Sequence, residues 1–251
     1  MTSKWVVCSH PRSNAELRLL CFPHAGGSSR VFHKWHEQLP ETVEVCAIEL
    51  PGRGRRLFET PFTNVDSLLP VLGAELLPFL DIPFVCFGHS LGAWIAFEFC
   101  RWLRETPQQT LQQTPQHLFV GASRAPHLPP DSPPIRDLPD LEFIAKLRRY
   151  SGTPEAIFNN PELMTLMIPA LKGDFSLLET YQYRSGPPLD CPITCFWGKE
   201  DAIANQIDVA AWQQHTHTFR LEAVPGHHFF THDPLFPQKL FSRNDVKLTP
   251  R

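Results

Sequence analysis

The 251-residue chain contains no apolar run of the roughly 18 residues that a membrane-spanning helix needs. Its opening, Met1-Thr2-Ser3-Lys4-Trp5-Val6-Val7-Cys8-Ser9-His10, holds too short an apolar stretch for a secretory signal, so a cytoplasmic protein is expected. Charge of one sign is also lacking. A formal net charge of −3 gives no global signal for binding nucleic acid or a membrane. The twelve histidines show no HExxH pattern, which argues against a catalytic metal. The seven cysteines (Cys8, Cys21, Cys46, Cys86, Cys100, Cys191 and Cys195) are odd in number and lie mostly inside apolar runs. They read as reduced core thiols rather than a disulfide framework. Cys191 and Cys195 have no neighbouring pair to complete a zinc site. Neither a metal nor an organic cofactor is expected. No internal repeat is found.

What remains is a chain of the right length and apolar content for one α/β domain, or one domain with an insertion. Short apolar segments closed by Gly, Pro or a polar turn residue predict strands at 17–23, 43–50, 84–87, 117–123, 193–197 and 218–224. Helices are predicted between them at 30–38, 65–80, 91–104 and 209–214, with a polar loop over 108–116. Nearly continuous apolar strands alternating with helices argue for a mainly parallel sheet covered on both faces.

One stretch breaks the alternation. From 125 to 188 no strong strand appears, and the segment opens with Pro126, Pro129, Pro130, Pro133 and Pro134. Helical patterns follow at 141–150, 161–168 and 171–183. Proline-led helix between two sheet strands reads as an insertion. Ligands bind outside the C-terminal strand ends of such sheets, so residues 125–188 are expected to cap that edge as a helical lid.

The most informative segment is Pro83-Phe84-Val85-Cys86-Phe87-Gly88-His89-Ser90-Leu91-Gly92-Ala93-Trp94. A β-favouring run feeds into Gly-x-Ser-x-Gly, and a helix-compatible run follows. That is the context of a nucleophile elbow, in which a sharp strand-to-helix turn presents the serine at the start of a helix. The glycines keep side-chain bulk out of a crowded turn, and the helix start offers free N–H groups to negative charge.

A serine nucleophile needs a base, and the base needs an orienting carboxylate, in the chain order Ser…Asp/Glu…His. The strand at 193–197 runs into Gly198-Lys199-Glu200-Asp201, and the strand at 218–224 into Pro225-Gly226-His227-His228-Phe229-Phe230. Acid and base candidates therefore follow the serine in the required order. Spacing alone leaves Glu200 and Asp201, and His227 and His228, as open alternatives.

Several further blocks stand in order along nearly the whole chain: Phe22-Pro23-His24-Ala25-Gly26-Gly27-Ser28, Leu50-Pro51-Gly52-Arg53, Ala125-Pro126-His127, Asp174-Phe175 and Glu179-Thr180-Tyr181. With these the chain resembles the type II thioesterases, stand-alone α/β-hydrolase editing enzymes of polyketide and nonribosomal peptide synthesis. The resemblance aligns His228 with the base and Asp201 with the acid. Two blocks depart from the family pattern. His227 replaces the second glycine of Gly-Gly-His-Phe-Phe, and Leu171-Lys172-Gly173-Asp174 replaces the usual Leu-Arg-Ala-Asp.

The resemblance implies hydrolysis of acyl thioesters on the phosphopantetheine arm of an acyl- or peptidyl-carrier protein, with no nucleic acid and no membrane as partner and a monomer as the expected state. An oxyanion hole is expected from the backbone N–H groups of Leu91, directly after the nucleophile, and of Ala25, to which the resemblance points. Carrier proteins are commonly acidic, so Arg53, Arg55, Arg56, Lys146, Arg148 and Arg149 are candidate docking charges. The alternatives are a medium-chain acyl thioesterase, a small-molecule carboxylesterase and a non-catalytic binding protein on the same scaffold.

Overall fold

The computed structural model describes residues 3–106, 114–150 and 158–242, with the side chain of Arg149 outside the described set. The predicted loop at 108–116 lies mostly outside it. Seven strands form one sheet: β1 (Val6–Val7), β2 (Leu17–Phe22), β3 (Val43–Ile48), β4 (Phe84–His89), β5 (Leu118–Gly121), β6 (Ile193–Gly198) and β7 (Phe219–Val224). Their spatial order is β1-β3-β2-β4-β5-β6-β7. All pair in parallel except β1, which runs antiparallel to β3. The six predicted strands are all present. Among the described residues, only the two-residue edge strand β1 went unpredicted.

The central strands β2 to β5 are buried on both faces, which is why they read as continuous apolar runs rather than alternating ones. Their side chains still divide by the period of two. Leu20, Phe22, Cys46, Ile48, Phe84 and Cys86 join one core with helices α1 (Val65–Leu76) and α2 (Leu91–Glu105). Leu19, Cys21, Val45, Ala47, Val85 and Phe87 join the other with Phe32, Trp35, Phe236 and Leu240.

The predicted helix at 30–38 is instead two 3-10 turns, Ser29–Phe32 and Trp35–Gln38. A rise of three residues per turn brings Phe32 and Trp35 onto one side, where their rings meet edge to face at 4.9 Å. Between β5 and β6 lie α3 (Asp140–Leu147) and α4 (Pro161–Thr180), with an apolar cluster of their own that includes Phe143, Leu147, Met164, Leu171 and Phe175. Here one long helix replaces the two predicted at 161–168 and 171–183. Pro169 sits inside α4 on its exposed side, while Met164, Ala170, Leu171 and Phe175 bury the opposite side and hold the helix together. The last two helices are short, α5 (Gln206–Ala210) and α6 (Phe236–Leu240).

One expectation about the cysteines is overturned. Cys8 and Cys46 form a disulfide. The pairing of Val7 with Ala47 brings the two chain segments together, a proximity invisible until β1 is placed beside β3. The other five cysteines are free and buried. Among the described residues, no helix is long and apolar enough to cross a membrane.

Candidate active site

The strand order places β2 between β3 and β4, so the loops leaving the C-terminal ends of β2 and β4 diverge to open a crevice. Ser90 stands at that point, between β4 and α2, with φ 54° and ψ −117°. This is a left-handed backbone for a non-glycine residue, a strain characteristic of functional turns. The turn is over-determined. The Ser90 N–H donates to the Gly121 carbonyl at 2.9 Å and its own carbonyl accepts from Ala93 N at 3.0 Å. A Cβ at Gly88 would collide with the Ala93 backbone, and one at Gly92 with the Phe22 carbonyl. Both glycines are thus demanded by the close approach of α2 to the sheet.

The candidate acid and base come from the ends of β6 and β7. Gly198 lets the two loops meet, since a Cβ there would lie 2.6 Å from the carbonyl oxygens of Gly226 and His227. Asp201 follows in a tight turn, and its Oδ1 accepts from the N–H groups of Ile203 (2.8 Å) and Ala204 (3.0 Å). Its Oδ2 lies 2.9 Å from His228 Nδ1. Burial works to raise the Asp201 carboxyl. The hydrogen bonds from His228, Ala204 and Ile203 outweigh it and hold the group below the ordinary carboxylate value. An ionised Asp201 can only accept, so Nδ1 of His228 carries the proton and Nε2 is left as the basic nitrogen.

Of the paired alternatives, Asp201 and His228 are buried, whereas Glu200 and His227 face each other in solvent at 3.2 Å with side chains 61% and 77% exposed. The ring at 227 points outward, with Nδ1 3.1 Å from the Glu200 carbonyl oxygen.

Two supports of this loop escaped sequence reasoning. His89, fully buried, stacks on Phe230 and pairs through Nδ1 with Thr231 Oγ1 at 2.8 Å. Burial keeps it neutral, pushing its pKa well down. His24 is buried beside it with its pKa lowered to about 3, by burial first and then by His232, His228 and Arg53. The only signal for either was its place inside a glycine-flanked motif.

Ser90, His228 and Ala25 all line one cavity of about 540 Å³. Trp94 and Ile203 also line it, as do Leu147, Leu171 and Phe175 from the helices between β5 and β6. Leu91 is buried beneath, and its N–H is the first of α2, where no intrahelical acceptor exists.

The docking charges need revision. Arg53 is buried and forks onto Asp174 with N–O distances of 2.6 and 2.8 Å. Arg56 is buried too, stacked 3.8 Å from the Trp5 ring centroid and paired with Glu59 at 2.6 Å. Neither can meet a partner. Arg55, Lys146 and Arg148 are exposed, and Arg149 lies outside the described side chains.

Comparison with known proteins agrees with this geometry. The thioesterase-domain family model matches residues 17–239. The chain is 38% identical to the gramicidin S biosynthesis protein GrsT of Aneurinibacillus migulanus over 98% of this chain and 95% of that protein. Among solved structures it resembles RedJ, a thioesterase of the prodiginine pathway of Streptomyces coelicolor, with TM-score 0.81 and 36% identity over 88% of this chain and 86% of RedJ. It also resembles BorB, the type II thioesterase of the borrelidin cluster, with TM-score 0.79 and 32% identity over 91% and 90% of the two chains. A strained serine turn, a buried Asp201–His228 pair and matches of this extent lead to one conclusion: the chain belongs to the thioesterase family, on the α/β-hydrolase fold, with type II thioesterases of polyketide and nonribosomal peptide pathways among its relatives.

Proposed function

We propose that this protein is an editing thioesterase that hydrolyses acyl groups from the phosphopantetheine arm of acyl- or peptidyl-carrier proteins, clearing stalled or aberrant chains from an assembly line. One observation carries the proposal: the strained Ser90 and the Asp201-oriented His228 open onto a single cavity half-walled by the insertion.

In this reading His228 Nε2 takes the Ser90 hydroxyl proton as the oxygen attacks the thioester carbonyl, and Asp201 stabilises the imidazolium. The N–H groups of Leu91 and Ala25 hold the oxyanion. Collapse expels the pantetheine sulfur, which takes the proton from His228 and leaves an acyl-Ser90. Water, deprotonated by His228, then releases the free acid and restores the serine. The insertion at 125–188 acts as a lid, closing the chamber over the acyl chain and excluding bulk water.

The test is turnover of one acyl group presented three ways: on an intact carrier protein, on pantetheine and as an oxygen ester. The proposal expects kcat/KM to fall in that order. A preference for the oxygen ester would establish the carboxylesterase alternative instead.

A further inference from the structure

The insertion does more than wall the cavity, because it grips the loop that carries Ala25. Asp174 of α4 is 1% exposed. Its Oδ2 accepts from the backbone N–H of Gly26 at 2.7 Å and from Arg53 Nη1 at 2.8 Å, while Oδ1 accepts from Arg53 Nη2 at 2.6 Å. Arg53, on the segment after β3, also donates from Nη1 to the Gly27 carbonyl at 3.1 Å. Gly26 itself has φ +76°, and a Cβ there would lie 2.7 Å from Leu171 Cδ2, again on α4.

The Gly26 N–H belongs to the peptide unit joining Ala25 to Gly26. Holding that plane restrains ψ of Ala25, so that only the two dihedrals of this one residue lie between it and the Ala25 N–H. Burying an ion pair is no efficient route to stability, since well-packed apolar residues serve as well or better. What this pair supplies is direction, because a carboxylate accepting from both Gly26 and a planar guanidinium has little freedom left.

Resting on the reading of Ala25 as an oxyanion donor, we propose that Asp174 and Arg53 are positioning residues for the oxyanion loop, so that the insertion sets catalytic competence as well as chamber shape. Displacing α4 to admit substrate removes the acceptor of Gly26, and the oxyanion site is assembled only when the insertion is seated.

The test is the double variant Arg53→Met/Asp174→Leu, which exchanges the ion pair for apolar bulk and leaves Gly26 without its acceptor. Hydrolysis of an acyl-pantetheine thioester and affinity for an alkyl boronic acid, whose serine adduct places an oxygen in the oxyanion site, are measured alongside thermal unfolding. The expected result is a folded protein with kcat lowered about 10- to 100-fold at nearly constant KM, and with boronate affinity lowered in proportion. Asp174→Asn, which keeps an acceptor for Gly26, should lie closer to wild type than the double variant. A folded double variant with unchanged kcat and boronate affinity would overturn the inference.

If the double variant does not fold, Arg53→Lys replaces it. A single ammonium cannot serve both Asp174 oxygens and the Gly27 carbonyl in the same geometry, so the same paired loss is expected, and its absence counts against the proposal. Ser90→Ala separates the two levels of the argument. Boronate binding that survives Ser90→Ala would refute the site reading itself, whereas Ser90-dependent binding unaffected by the 53/174 variants refutes only the positioning role.

Discussion

His228 Nδ1 lies 2.9 Å from Asp201 Oδ2 in a buried pair, while the adjacent His227 and Glu200 form a parallel pair in solvent one residue away on each loop. Both are histidine–carboxylate pairs, but His228 meets its acid through Nδ1 in a buried pair, whereas His227 meets Glu200 through Nε2 in solvent. Asp201→Asn should therefore lower turnover by about 10⁴-fold, by offering His228 the wrong hydrogen-bond partner and tautomer. Glu200→Gln and His227→Gly should each retain turnover within a few-fold. Steady-state hydrolysis of a pantetheine thioester measures all three, and a larger loss at 200 or 227 than at 201 would reassign the pair.

Chain-length preference should respond to the cavity wall and not to the outer face of α4. Leu147 and Leu171 are buried and line the cavity, whereas Leu166 is 45% exposed and does not, despite its place in the same apolar sequence pattern. Leu147→Ala and Leu171→Ala should shift the preferred acyl length upward, at a folding cost of about 2–5 kcal/mol each. Leu166→Ala should change neither property. Unaltered chain-length profiles in the two cavity variants would reduce the insertion to scaffold.

Carrier docking should depend on exposed charge. Arg55→Glu and Lys146→Glu are expected to weaken hydrolysis from an intact acidic carrier several-fold while sparing the acyl-pantetheine fragment, because both substrates share the reacting centre. Raising the ionic strength should shrink the difference. Equal effects on carrier and fragment would remove these residues from the docking surface.

Acid should destabilise the fold through its buried histidines. The pKa of His24 is lowered to about 3 and that of His215 to about 4, each chiefly by burial. In the unfolded chain both take up protons near pH 6.5. Between those values the unfolded state binds more protons, so their contribution is fully present above about pH 6.5 and is lost as the pH falls toward 3–4. The depressed carboxyl of Asp201 acts in the same direction at lower pH. Thermal unfolding should give a steady Tm from pH 8 to 7 and a falling one from pH 6.5 to 4.5. A Tm that held or rose on acidification would contradict the assignment of neutral buried rings.

Much of this was legible in the residues because local signals and tertiary demands coincide. The six parallel strands announce themselves as short, largely apolar segments (β7 the most polar of them) with Gly or Pro at their ends, and Gly88 and Gly92 mark the elbow because the backbone contacts there admit nothing larger. The rest depended on distance in sequence. Val6–Val7 is too short to signal a strand, and without it the Cys8–Cys46 proximity cannot be foreseen. The helix of α4 reads as two segments, 161–168 and 171–183, because propensity is local, whereas its buried side is fixed by partners elsewhere. Arg53 read as a surface charge because its partner, Asp174, lies 121 residues away. Burial likewise separates His228 from His227, and no spacing rule contains it.

Thioester hydrolysis through Ser90 leaves an acyl-enzyme that can be trapped. The protein is mixed with an acyl-pantetheine thioester and quenched rapidly, then examined by intact mass and peptide mapping while free acid is quantified. A single acyl adduct on Ser90 is expected, formed and consumed at rates compatible with turnover and absent from Ser90→Ala, whose acid release falls by several orders of magnitude. An adduct on another residue, or acid release by Ser90→Ala at the wild-type rate, would contradict hydrolysis through Ser90.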